Sequence, residues 1–142
     1  MAGGQGSRLR PITDARPKPM VEVLGRPVID FVKDSMLQGG VDSLIVTTGY
    51  RGEMLAAHVE GWNTESTSGR INQEHTPMGT AGSVRLLMNE ITDTVIIGSG
   101  DSVASFDVAS LLKAHKDSGA KATMALWEVD DPSPFGIVGL SG

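Results

Sequence analysis

The fold is decided by the stretch SLIVTTG, residues 43–49. This apolar, β-branched run is typical of a parallel strand that is buried on both faces. Residues 27–38 precede it with apolar positions at helical spacing and end at Gly39 and Gly40, while residues 52–61 follow it with a second apolar helical face. A buried strand between two helices predicts a parallel sheet with helical crossovers.

The same alternation extends in both directions along the chain. Residues 1–19 are predicted to form a loop, since three prolines and several glycines leave no room for a helix longer than a turn or two. The predicted fold class is α/β, a Rossmann-like, doubly wound and mostly parallel sheet, in a single domain of residues 1–142. We predict further strands over 21–24, 70–74, 93–101, 121–129 and from 137, and further helices over 80–89 and 106–119.

Composition excludes several classes of function. A net charge of −5 argues against nucleic acid as a partner, although a small phosphorylated ligand needs only a local cationic pocket. The chain has no cysteine, which excludes disulfides, thiolate metal sites and a cysteine nucleophile. No apolar run reaches membrane-spanning length, so we expect no membrane partner and a cytoplasmic location.

A homo-oligomer is compatible with the sequence. His58, Trp62 and Trp127 are expected to have structural roles.

Three loops carry residues that suit a ligand. In parallel α/β sheets, ligands bind beyond the carboxyl ends of the strands, where residues 2–18, 74–82 and 98–102 are expected. The first of these loops combines glycines, whose backbone N–H groups can surround an anion, with basic side chains. It is not a Walker A loop, because no Gly-Lys-Ser/Thr follows, and it is not a G-x-G-x-x-G loop, because Leu9 stands in place of the third glycine. From spacing alone, a flexible tail and an anion site both remain open.

The complete string AGGQGSRLRPITDARPKPMVEVLGRPVI (residues 2–29) resembles the opening signature of the sugar-phosphate nucleotidylyltransferases, AGGxGxRLxPLTxxxPKPMxxVxGxPxI. Three later pieces resemble further elements of that family in the same order: EHTPMGTAG (74–82), GSGD (98–101) and DPSPFGIV (131–138). The resemblance implies a reaction in which a sugar 1-phosphate attacks the α-phosphorus of a nucleoside triphosphate (NTP) and pyrophosphate leaves, with Mg²⁺ as cofactor.

The resemblance also implies roles for individual residues. Arg8 and Lys18 match the catalytic cations, and Asp101 matches the magnesium ligand, whereas Arg10 is expected to be a plain surface cation. The simpler interpretations are a surface cation for Arg8 and Lys18 and a turn or helix-capping residue for Asp101. The implied nucleotide-binding residues are Ala2, Gly3, Gly4, Gly6, Ser7, Glu74, Gly79 and Thr80, and the implied sugar-binding residue is Gly136.

Glu74 bears on the choice of base. Relatives that transfer thymidylyl or uridylyl groups commonly carry glutamine at this position, whereas a glutamate side chain can only accept hydrogen bonds. Guanine offers two donors on one edge, so Glu74 favours GTP, with mannose 1-phosphate as the second substrate. The alternatives are a dTTP- or UTP-dependent glucose-1-phosphate nucleotidyltransferase and a non-catalytic subunit that binds nucleotide or NDP-sugar.

The resemblance implies more chain than the 142 residues contain. The family has a buried apolar strand directly before the position of Ala2, and its second metal-binding aspartate and most sugar contacts lie beyond the position of Gly142. We therefore expect residues 1–142 to form a nucleotidyltransferase domain that lacks its first strand and its C-terminal part.

Overall fold

The computed structural model describes residues 2–4, 6–49, 52–76, 78–103, 106–134 and 136–140. Two short 3-10 turns, Ser7–Leu9 and Lys18–Met20, shape the N-terminal loop. The helices and strands follow in this order: α1 (Ile12–Ala15), β1 (Glu22–Val23), β2 (Arg26–Pro27), α2 (Val28–Gln38), β3 (Ser43–Thr48), α3 (Gly52–Glu60), β4 (Ser68–Gln73), α4 (Gly79–Arg85) and α5 (Val108–Ser118).

A parallel pair of strands forms the centre of the molecule. β3 and β4 pair in parallel, from Ser43 opposite Ser68 to Thr48 opposite Gln73, and α3 connects them. Parallel strands need such a crossover, because the end of the first strand and the start of the second lie at opposite ends of the sheet. β1 and β2 form a separate, short antiparallel pair. The predicted α/β class, the parallel pairing and the helices around the SLIVTTG run are therefore confirmed.

Backbone chemistry sets the ends of the two longest helices. α2 starts after Pro27, because the backbone of Pro27 is extended and not helical, and the helix is followed by Gly39. α5 starts at Asp107, whose carboxylate accepts a hydrogen bond from the backbone N–H of Ser110 at 2.9 Å. It ends at Gly119, which has a left-handed backbone with φ of 60°, the conformation that favours glycine at a helix end.

In the described part of the chain, the core combines a cluster of apolar side chains with a buried aspartate. Its apolar members are Ala2, Ile29, Val46, Leu55, Val59 and Trp62. Asp30, which is 9% exposed, accepts a hydrogen bond on Oδ1 from Trp62 Nε1 at 3.1 Å and also pairs with His58 Nε2 at 2.8 Å. Buried carboxylates require such partners, so His58 and Trp62 have the structural roles expected of them.

Three predicted strands are not formed. Residues 93–101, 121–129 and 137–140 have no strand pairing in the structure, and Trp127 is 88% exposed rather than packed. A strand needs a neighbour to bond its backbone groups. Between β3 and residues 93–98 there is instead an apolar cavity of about 490 Å³, which we call the central cleft.

The central cleft lies along the edge of β3 that faces away from β4. The carbonyl of Thr48 accepts a hydrogen bond from Glu74 N on the β4 side, whereas the carbonyl of Thr47 accepts one from Ala2 N at 2.8 Å. Successive carbonyls of a strand point to opposite edges, so Ala2 lies at the edge that faces the cleft.

Within the described ranges, no helix is long and apolar enough to cross a membrane.

Candidate functional site

The glycine-rich loop is held in one conformation by close packing. Gly6 has a left-handed backbone with φ of 64°, and a Cβ atom placed on it would lie 2.9 Å from Thr13 Cγ2 and 3.1 Å from Lys18 Cβ. The hydroxyl of Thr13, which is 1% exposed, donates to the carbonyl of Gly6 at 2.8 Å. Since a side chain at position 6 would meet both strain and crowding, the loop requires glycine there.

Lys18 extends from a rigid piece of this loop. Its neighbours Pro17 and Pro19 are fully buried, and their rings restrict the backbone on both sides. Backbone N–H groups of Met20 and Val21 donate to the carbonyls of Pro17 and Lys18, at 2.8 and 3.1 Å. The base of the Lys18 side chain is therefore fixed, while its four-carbon stem remains free to rotate.

The Lys18 ammonium contacts Asp101, which lies 83 positions further along the chain. Nζ donates to Oδ2 at 2.7 Å, and the hydroxyl of Ser99 donates to Oδ1 at 2.6 Å. Burial by itself would raise the pKa of Asp101, but the hydrogen bonds from Lys18 and Ser99 outweigh it and hold that pKa below its ordinary value. The structure thus places an ionised carboxylate beside the glycine-rich loop.

A second group of the predicted residues meets at the carboxyl ends of β3 and β4. A Cβ atom placed on Gly49 would lie 3.8 Å from the carbonyl oxygen of Glu74 and 3.9 Å from that of Gly3. Glu74 is half-buried, and its Oε2 accepts a hydrogen bond from the backbone N–H of Met78 at 3.3 Å. Gly3 and Glu74 therefore both lie beside Gly49, at the carboxyl ends of the strands, where α/β sheets bind their ligands.

Residues 79 and 80 begin α4, just beyond this group. Gly79 has a left-handed backbone with φ of 69°, and its carbonyl accepts a hydrogen bond from the Ser83 hydroxyl at 2.8 Å. Both Gly79 and Thr80 are exposed. The sharp entry into the helix therefore leaves the two residues open to a ligand.

Other predicted residues are not drawn into these contacts. Gly4, Ser7 and Arg8 are exposed on the loop, and Arg10 forms an exposed ion pair with Asp14 at 3.3 Å, which suits its expected role as a surface cation. Gly136 lies in an exposed segment, and a Cβ atom placed on it would meet nothing within 4 Å. Its described surroundings give no contact with the Lys18–Asp101 pair.

The oxygen donors around Asp101 suit a hard cation. Magnesium takes oxygen ligands and usually combines one or two carboxylates with phosphate oxygens and water. Asp101 supplies the carboxylate, and the Ser99 hydroxyl lies beside it. Within the part of the chain that the structure describes, no group of three or more His, Asp or Glu side chains could hold a metal ion. One carboxylate beside a hydroxyl can hold magnesium where phosphate or water oxygens supply the other ligands.

Two contributing residues were not singled out from the sequence. Thr13 fixes Gly6, and Ser99 orients Asp101. A buried threonine seven residues after a glycine gives no periodic signal. The Ser-Gly-Asp spacing at 99–101 places a hydroxyl two residues before the carboxylate, close enough for the two to bond, but this spacing does not by itself mark a site.

Comparisons with known proteins show the family to which this chain belongs. The family model described as nucleotidyl transferase matches residues 1–142. A mannose-1-phosphate guanyltransferase of Debaryomyces hansenii is 30% identical over 97% of this chain and 39% of its own length. The mannose-1-phosphate guanylyltransferase catalytic subunit beta of Xenopus tropicalis is 31% identical, again over 97% of this chain and 39% of its own. The chain thus spans about two fifths of these relatives.

Solved structures show the same fold. HddC from Yersinia pseudotuberculosis, complexed with GMP-PN, superposes with a TM-score of 0.70 at 26% identity, over 82% of this chain and 52% of that one. A UDP-glucose pyrophosphorylase from Acinetobacter baumannii superposes with a TM-score of 0.61 at 20% identity, over 84% and 52%. At that identity the second likeness supports the fold alone.

Proposed function

We propose that this chain, which belongs to the nucleotidyl transferase family, carries the nucleotide site of a sugar-1-phosphate nucleotidyltransferase. Its reaction would join GTP and mannose 1-phosphate to give GDP-mannose and pyrophosphate. The observation that carries the proposal is the Lys18–Asp101 contact at 2.7 Å, which brings a cation and a carboxylate together beside a rigid glycine-rich loop.

The proposed chemistry needs positioned charge rather than a covalent intermediate. An oxygen of the sugar phosphate forms a bond to the α-phosphorus of GTP, the bond to the bridging oxygen of the β-phosphate breaks, and pyrophosphate leaves with that electron pair. Lys18 would hold the α-phosphate, and Arg8, exposed ten residues earlier, would grip the β- and γ-phosphates. A planar guanidinium can contact two phosphate oxygens at once. The Lys18 ammonium is limited in reach because its backbone is fixed by two buried prolines.

The backbone of the loop supplies the remaining contacts to the phosphates in this proposal. The backbone N–H groups of Gly3, Gly4, Gly6 and Ser7 would face the nucleotide, and Gly6 fixes their path. Asp101 would hold Mg²⁺, assisted by the Ser99 hydroxyl. When bound, the cation would neutralise charge that develops on the phosphates.

Base and sugar selection would depend on residues around α4 and beyond. Glu74 accepts one hydrogen bond, from Met78, and an ionised carboxylate has capacity for about three more, enough for the two donors of guanine. Gly79 and Thr80 would line the base pocket, and Gly136 would approach the sugar. The names of the relatives, mannose-1-phosphate guanyltransferases, support this choice of substrates.

The remaining partners follow from the proposed substrates. A reaction that consumes a nucleoside triphosphate favours a cytoplasmic location, and the net charge of −5 favours small phosphorylated ligands over nucleic acid.

Pyrophosphate release tests the proposal. The chain is incubated with Mg²⁺, mannose 1-phosphate or glucose 1-phosphate, and GTP, dTTP or UTP in turn; pyrophosphate and NDP-sugar are then quantified together. We expect the highest rate with GTP and mannose 1-phosphate. Lys18→Met should lower that rate by about 10²–10³-fold, the usual cost of removing one charge-stabilising donor.

Arg10→Met is the matched control, since it removes a cation from the same loop whose partner is the exposed Asp14. Its rate should stay close to that of the parent. A higher rate with dTTP or UTP would overturn the base assignment. Tight GTP binding without pyrophosphate release would instead favour the non-catalytic alternative.

A further inference from the structure

The Asp101 carboxylate has a side-chain partner on each oxygen. Lys18 Nζ donates to Oδ2 at 2.7 Å, Ser99 Oγ donates to Oδ1 at 2.6 Å, and Ser102 Oγ lies 3.5 Å from Oδ1. The Asp101 side chain is 26% exposed, so a cation from solvent can reach it. The carboxylate is accessible, but its Oδ2 is occupied by a competing positive charge.

A divalent cation and the Lys18 ammonium exclude each other at Oδ2. Both are cations, and at contact distance their repulsion in a partly buried site is much stronger than in water. The Lys18 backbone is packed between two buried prolines and against Gly6. The ammonium must therefore move by rotation of its own stem, without movement of the loop.

A bound phosphate offers the displaced ammonium a new partner of opposite charge. When the nucleotide takes up Lys18, Oδ2 of Asp101 becomes free for the cation. By linkage, a ligand that removes the competitor raises the affinity for the cation, and the cation raises the affinity for the nucleotide by the same factor.

We propose that Lys18, besides contacting phosphate, blocks Asp101 until nucleotide binds, so that cation binding at Asp101 is weak in the free chain and strong in its nucleotide complex. This inference rests on the proposed function, in which Asp101 is the cation ligand and Lys18 the phosphate ligand. It adds that the Lys18 ammonium moves from Asp101 to the bound phosphate, so that the cation and the nucleotide favour each other's binding.

The test titrates Mn²⁺ alone, with no nucleotide present, and measures free Mn²⁺ by electron paramagnetic resonance. Lys18→Met keeps the length of the stem and removes the charge, and it should bind Mn²⁺ about tenfold more tightly than the parent, within the usual range of such couplings. Asp101→Asn should abolish that binding. Lys113→Met is the control for total charge, because Lys113 pairs with Asp117 on α5, and it should match the parent.

Lys18→Gln provides a second variant, and thermal melts identify any variant that has lost the fold. If Lys18→Met and Lys18→Gln bind Mn²⁺ no more tightly than the parent while Asp101→Asn removes binding, the blocking role is wrong and the proposed cation site stands. If Lys113→Met gains as much as Lys18→Met, the effect is general charge and the inference fails. Mn²⁺ binding that is indifferent to Asp101→Asn overturns both proposals.

Discussion

Replacing Gly6 with alanine tests whether the loop is rigid. The left-handed backbone at this position, φ of 64°, costs a non-glycine residue roughly 1–2 kcal/mol. The added methyl group would lie 2.9 Å from Thr13 Cγ2 and 3.1 Å from Lys18 Cβ, and relief of such crowding costs about 1–3 kcal/mol. The stiffer unfolded chain returns about 0.4–1 kcal/mol. We therefore expect a net loss of about 1–5 kcal/mol in unfolding free energy.

Thermal melting followed by circular dichroism measures this effect. For a domain of this size the loss corresponds to a fall in midpoint of roughly 3–15 °C. Gly4→Ala is the matched control, because a Cβ atom there would meet nothing within 4 Å. If Gly6→Ala melts within about 1 °C of the parent, or if Gly4→Ala falls as far, the loop is not held by these contacts.

Two further predictions concern stability. Asp30→Ala leaves the buried Trp62 Nε1 without its acceptor and His58 without its partner. Urea titration should show a loss of about 1–3 kcal/mol in unfolding free energy, and an unchanged midpoint would contradict the buried cluster. The pKa of Asp101 is lowered in the folded chain, so its stabilisation is complete above the unfolded pKa of about 3.9 and is lost as the pH falls through the folded value. The difference in unfolding free energy between parent and Asp101→Asn should therefore shrink below about pH 4, and a constant difference would refute it.

Local signals accounted for the helices and the central strands. α2 lies between Pro27 and Gly39 as its caps require, and β3 coincides with the SLIVTTG run. The apolar run at 93–101 carries a similar signal, yet it is not a strand. A strand forms only where a second strand lies beside it to bond its backbone, and residues 93–98 border the central cleft instead. Local composition cannot report that.

The sequence predicted only part of the candidate site, because several of its contacts depend on the folded chain. The Lys18–Asp101 contact links positions 83 apart, and the family resemblance, not periodicity, brought the two residues into one site. Thr13 and Ser99 act through contacts that depend on the folded loop, so residue type alone did not distinguish them. The roles of Gly136 and Arg8 stay predictions, since no described contact tests them.

A thermal melt of this chain in Mg²⁺ with GTP, dTTP, UTP, CTP or ATP tests the proposed nucleotide site most directly. A ligand present at about 100 times its dissociation constant stabilises the folded state by about 2.7 kcal/mol, which is a rise of roughly 5–10 °C. We predict that GTP gives the largest rise and that Lys18→Met and Asp101→Asn reduce it. A melt that no nucleotide shifts, or a GTP shift that survives both substitutions, would contradict the proposed site.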